Sequence, residues 1–292
     1  MSRTKGILFT ILAASSFGLI PLFAKIAYAN GFNPYTFTLY RSLFASIEIF
    51  IFIKIKNIKY RVEKEQYITL FKVSLVGYSL MMLTLSISYN YMSTGLATTI
   101  HFIYPVVVLL ASILFYKEKI NKYIIIALVL SLIGMYFLVA FDSSGSISIV
   151  GVLLALFSGV FYAYYVLQVA YGNIKKIDSY VIAFYVSLFN TYNILIMTII
   201  MGKLDFSYTY KGLLSTVLVA LVCNLIGMVS FQKGLKIISA TTATILSTFE
   251  PITSLIVGVL VFKELLYWYH IAGSILIIFS VIIVGYAENI MK

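Results

Sequence analysis

Apolar runs of about twenty residues, separated by short polar turns, follow one another from end to end of the chain. A helix crossing roughly 30 Å of hydrocarbon at 1.5 Å per residue needs about 20 apolar residues. On that ruler the pattern predicts ten membrane-spanning helices: 6–29, 34–53, 67–89, 93–115, 121–141, 147–171, 178–200, 211–233, 238–262 and 267–287. The connections carry turn chemistry, as in "NGFNP", "DSSGS" and "GNIKKIDS". No stretch is long enough for a separate soluble domain, so the predicted fold class is an all-α integral membrane protein.

Composition agrees. Of 292 residues, 62% are hydrophobic and 11% charged, and the mean hydropathy is +1.03. The net charge of +11 does not point to nucleic acid, because the basic residues punctuate apolar stretches instead of forming a patch on a polar surface. The first run is too long for the core of a cleavable signal and reads as the first span. The single Cys223 excludes an intrachain disulfide.

Charge orients the chain, because Lys and Arg of short loops stay cytoplasmic. With the N terminus inside, the inner segments collect sixteen of the 21 basic residues, among them Lys54, Lys56, Lys59, Arg61, Lys117, Lys175 and Lys236. Lys203, Lys211 and Lys263 fall outside. Both termini are expected in the cytoplasm, and the protein in the plasma membrane of a bacterium.

The chain also matches itself. At an offset of 146, "STGLATTIHFIYPVVVLLASILFYKE" (93–118) lies without gaps on "SATTATILSTFEPITSLIVGVLVFKE" (239–264), pairing Pro105 with Pro251 and Lys117-Glu118 with Lys263-Glu264. At 145, "YRSLF" (40–44) falls on "YVSLF" (185–189). Each half, 1–142 and 143–292, holds five predicted spans. An odd number makes the second half enter the membrane from the opposite side, giving the inverted repeat that many secondary transporters use for alternating access.

Candidate chemistry concentrates where the halves should meet. Proline removes a helix hydrogen bond at 105 and 251, and such breaks persist at mid-membrane depth only beside protein or a wet cavity. Glu250, directly before Pro251, is the sharpest candidate, for substrate contact, proton coupling or gating. His101 lies one turn before Pro105, and Tyr104 is the repeat mate of Glu250. Tyr78 and Asn224 are repeat mates in spans 3 and 8, and Gln168 lies in span 6. Tyr162, Tyr164 and Tyr165 form an aromatic cluster there, from which Tyr164 joins the candidates for holding a cation or an aromatic group.

Arg41 and Glu48, seven residues apart, share a helix face and read as gating or structural charges paired to other spans. Lys25 reads as snorkelling to the outer surface, and Glu118 and Glu264 as anchors of helix ends or braces of a gate. Thr10, Ala14 and Gly18, with their mates Ala155, Gly159 and Ala163, predict ridges of close helix approach.

Two tandem five-helix units, "YRSLFAS", the mid-helix prolines of spans 4 and 9, "YKEK" and "FKEL" after them, and "FEP" resemble the EamA family of the drug/metabolite transporter superfamily. The resemblance covers essentially the whole chain. It implies a central cavity lined mainly by spans 1, 3, 4, 6, 8 and 9, and export or exchange of small organic metabolites such as amino acids, without fixing the substrate.

An enzyme would need clustered nucleophile, base or metal ligands. Asp142, Asp178 and Asp205 lie in loops or at span ends, and there is no HExxH, CxxC or glycine-rich phosphate loop. Neither catalysis, metal nor cofactor is expected. The sequence therefore favours a transporter of an amino acid or related zwitterion, as monomer or homodimer. The alternatives are a carrier of cationic or quaternary-amine compounds, and a channel or scaffold without transport.

Overall fold

The computed structural model describes residues 2–92, 94–140 and 148–290. The expected start of span 4 at residue 93, the "DSSGS" loop with Asp142, the division at 142/143 and Lys292 lie outside the described residues. Within them the chain is helical and without strands. Ten helices are long and apolar enough to cross a membrane: span 1 (Arg3–Tyr28), span 2 (Pro34–Ile55), span 3 (Lys64–Ser88), span 4 (Leu96–Tyr116), span 5 (Lys122–Val139), span 6 (Ile149–Tyr171), span 7 (Ser179–Ile200), span 8 (Tyr210–Leu235), span 9 (Ala240–Phe262) and span 10 (Trp268–Glu288).

Helix contacts obey the repeat. Span 5 packs on span 10 and span 2 on span 7, each pair exchanging with itself when the halves are swapped. Span 3 packs on span 6 and span 8 on span 1, which are the same contact seen from the two halves. The inversion is visible in the loops. The loop between spans 1 and 2 bonds the loop between spans 7 and 8, through Thr209 N–H to the Asn30 carbonyl (3.0 Å) and Asn33 Nδ2 to the Lys203 carbonyl (2.8 Å). Its counterpart between spans 6 and 7 lies on the other face, where Lys236 donates to the Ile177 carbonyl. That second face also carries both ends of the chain, joined by an Arg3–Glu288 ion pair of 3.4 Å.

Lipid tails give apolar side chains no reason to leave them for each other, so polar bonds and close backbone approach hold the spans together. Asn190 of span 7 donates to Ser42 of span 2 (2.6 Å) and accepts from Ser79 of span 3 (2.6 Å), and Asn193 donates to Ser79 (3.0 Å). This buried network ties spans 2, 3 and 7 together. The predicted small-residue ridges bring spans 1 and 6 against the breaks. A Cβ on Gly18 would stand 2.5 Å from the Glu250 carbonyl oxygen, and one on Gly159 2.7 Å from the His101 carbonyl oxygen. Span 1 therefore crosses the break in span 9 as span 6 crosses the break in span 4.

Candidate substrate cavity

Spans 4 and 9 are each two helices in line. Thr94–His101 gives way to Tyr104–Tyr116, and Ala240–Ser247 to Glu250–Phe262. The prolines start the second pieces, where a missing N–H leaves no helix bond unmade. Both second pieces end on a lysine in the left-handed conformation, Lys117 with φ 53° and Lys263 with φ 58°. The following glutamate N–H then returns to the helix, Glu118 to the Ser112 carbonyl at 3.0 Å and Glu264 to the Gly258 carbonyl at 3.2 Å. Glu250 is thus the first residue of a helix, where the positive end of the backbone dipole favours a carboxylate.

Beside that end lies a cavity of about 350 Å³, walled by Arg41, Tyr78, His101, Tyr104, Tyr162 and Glu250 together with Phe17, Tyr28 and Tyr89. A second cavity of about 560 Å³ shares Glu250, Tyr89 and Thr98 and runs on to Glu264 and His270. Tyr89 and Thr98 flank the loop between spans 3 and 4, so both cavities extend toward the face opposite the chain ends. On the terminal face the path is crossed by Glu118, which accepts from Tyr171 and, at 3.4 Å, from Thr241.

Arg41 is buried at the meeting of the halves. Its Nε donates to Asn224 Oδ1 (2.9 Å) and its Nη2 reaches Tyr78 OH (3.5 Å). Those two partners are repeat mates, and each stands in a π-helical stretch, Val73–Leu80 or Ala220–Met228. A widened turn re-aims side chains, which is why such stretches recur at functional sites. Arg41 and Glu250 face one cavity without forming an ion pair, and among the described residues the Glu250 carboxylate has no hydrogen-bond partner.

His101 Nδ1 lies 2.8 Å from Ser158 Oγ, whose own hydroxyl proton goes to the Ala155 carbonyl at 2.6 Å. With that proton committed, Nδ1 is the donor and Nε2 the acceptor. The Tyr104 and Tyr162 rings meet edge to face at 4.8 Å.

The structure thus gathers Glu250, His101, Tyr104 and Tyr78 at the cavity, with Asn224 behind Arg41. Gln168 and Tyr164 are not in its wall. Gln168 lies against the turn at Gly172, and it is Tyr162, two residues from Tyr164, that faces in. Their i, i+2 spacing in a helix puts them on different faces, and Ser158 and Tyr165, four before and three after Tyr162, lie on its ridge and are buried. Arg41, read from sequence as a gating or structural charge, both braces spans 3 and 8 and lines the cavity. Glu48 lies outside it, with Oε2 buried and, among the described residues, without a hydrogen-bond partner. Lys25 does not simply snorkel: its Nζ pairs with Glu264 at 3.2 Å. The breaks at Phe102–Ile103 and Thr248–Phe249 were foreshadowed by Pro105 and Pro251, while a further one at Gly18–Leu19 was not expected. The π-helical stretches had no signal in the sequence.

Ten helices in two inverted halves, with a charged and aromatic-walled cavity between them, define a membrane transporter. The model of the EamA-like transporter family matches residues 4–140 and 149–286, and the chain belongs to that family, within the drug/metabolite transporter superfamily. An uncharacterized transporter of Clostridium kluyveri is 23% identical over 98% of this chain and 94% of its own length. The uncharacterized transporter YwfM of Bacillus subtilis is 28% identical over 57% of this chain and 56% of its own. A solved crystal structure shares the fold with a TM-score of 0.85, covering 99% of this chain and 100% of that one at 13% identity.

Proposed function

We propose that this transporter carries small zwitterions, such as neutral amino acids, by alternating access. One observation carries the reading: a guanidinium and a carboxylate, Arg41 and Glu250, face the same cavity and stay apart. Opposite charges in a poorly solvated space attract strongly, so a site that keeps them separate suits a guest bearing both. Its ammonium goes to Glu250 and its carboxylate to Arg41, while the Tyr104 and Tyr162 rings bound its side chain. Glu250 also serves as the proton-coupling group. The terminal face, rich in lysine and arginine, is cytoplasmic, and the cavity opens outward in a bacterial plasma membrane. No catalysis belongs to this reading.

A second reading rests on the tyrosine walls alone, which would hold a quaternary amine by cation–π contact. Stabilisation of the purified protein separates the two. Neutral amino acids should raise the melting temperature of the wild type and fail to do so in Arg41→Gln. If choline-like cations stabilise both proteins and amino acids neither, the second reading replaces the first.

A further inference from the structure

Spans 4 and 9 end in matching aromatic–Lys–Glu caps, Tyr116-Lys117-Glu118 and Phe262-Lys263-Glu264. At the outer cap, the ammonium of Lys25 lies 3.2 Å from Glu264 Oε1 and 3.9 Å from the centre of the Phe262 ring. A carboxylate on one side and an aromatic face on the other is how proteins recognise an alkylammonium. The left-handed lysine between the two residues is what turns the glutamate back toward the helix. The same device recurs on the terminal face. Tyr116 and Glu118, each 146 positions before Phe262 and Glu264, grip Tyr171, which stands 146 positions after Lys25: the Tyr116 and Tyr171 rings stack at 4.2 Å and the Tyr171 hydroxyl donates to Glu118.

Glu264 and Glu250 line the same 560 Å³ cavity. Glu264 folds back to the level of Gly258, eight residues from Glu250, so the two carboxylates lie about 12 Å apart along the helix. The Lys25–Glu264 pair is about half exposed on both sides, 57% and 53%, and exposed pairs of this kind hold weakly. Lys25 is therefore a tethered occupant that a diffusing ammonium can displace.

We propose that the Phe262–Glu264 cap is an outer binding station for an alkylammonium group, filled by Lys25 at rest, through which an ammonium-bearing substrate passes on its way to Glu250. The proposal rests on the reading that the transported molecule carries an ammonium.

Methylammonium chloride is the probe, with sodium chloride at equal ionic strength as control and the melting temperature in detergent as readout. Lys25→Met should lower the half-saturating methylammonium concentration about fivefold relative to wild type, the factor expected from removing a weak exposed pair. Because Glu250 could also take the probe, the decisive parent is the double variant Lys25→Met with Glu250→Gln. Its methylammonium shift should survive, fall to the sodium level on adding Glu264→Gln, and weaken about threefold on adding Phe262→Leu. An unchanged shift after Glu264→Gln overturns the station, as does the absence of any methylammonium shift. A shift lost with Glu250→Gln yet kept in Lys25→Met with Glu264→Gln also overturns it, while leaving Glu250 as the ammonium site.

Discussion

Spans 4 and 9 have the same backbone and different chemistry. Both break two residues before a proline, restart as thirteen-residue helices and end on a left-handed lysine. At the break, span 4 presents His101, tied to Ser158, and the buried ring of Tyr104. Span 9 presents Glu250, with no protein partner among the described residues. The repeat supplies the geometry twice, because inversion needs matched halves to rearrange about one site. Charge appears in only one copy, and two carboxylates facing each other in a poorly solvated space would repel.

The sharpest way to break this contrast is to neutralise each copy in turn. Glu250→Gln should weaken competition by neutral amino acids in proteoliposome uptake by about tenfold to a hundredfold, the worth of a charge-assisted bond. Tyr104→Phe should stay within about threefold, since its ring remains. The reverse order would mean that the two breaks are chemically equivalent.

A next-largest effect is expected from Arg41, which stands where the halves meet. Arg41→Leu leaves Asn224 Oδ1 and Tyr78 without their shared donor and should lower stability by about 1–3 kcal/mol, read as a denaturation midpoint in detergent. A neutral result would show that the π-helical stretches hold their shape without it.

The backbone half of the comparison is tested by the crossing glycines. Gly18→Val and Gly159→Val should each cost about 1–3 kcal/mol, because a Cβ meets a carbonyl oxygen in both. A cost near zero at either glycine would show that the helix crossing there yields without loss. The smallest effect belongs to His101→Asn, which keeps a donor for Ser158 and should cost under about 1 kcal/mol.

The ten spans, their register in the repeat and the breaks at Pro105 and Pro251 were readable from the sequence. Bilayer thickness sets helix length, and proline cannot donate, so both constraints act locally. The position of Glu250 at the cavity was readable for the same reason: a carboxylate in an apolar run has few places to be. The choice of Tyr162 over Tyr164 was less accessible, since it needs the orientation of span 6 against span 4. That Arg41 also faces the cavity was not readable, because a single side chain can brace two helices and still line a cavity, and spacing along span 2 does not distinguish these.

By itself, then, the chain determined how many times it crosses the membrane and that its halves are inverted copies, because hydrophobic length and the parity of five are properties of the sequence alone. Tertiary structure decided that Arg41 and Glu250 share a cavity without pairing, and that Lys25 rests in the grip of Glu264 and Phe262. Those relations join residues more than 200 positions apart, and only the packing of one half on the other sets their distances.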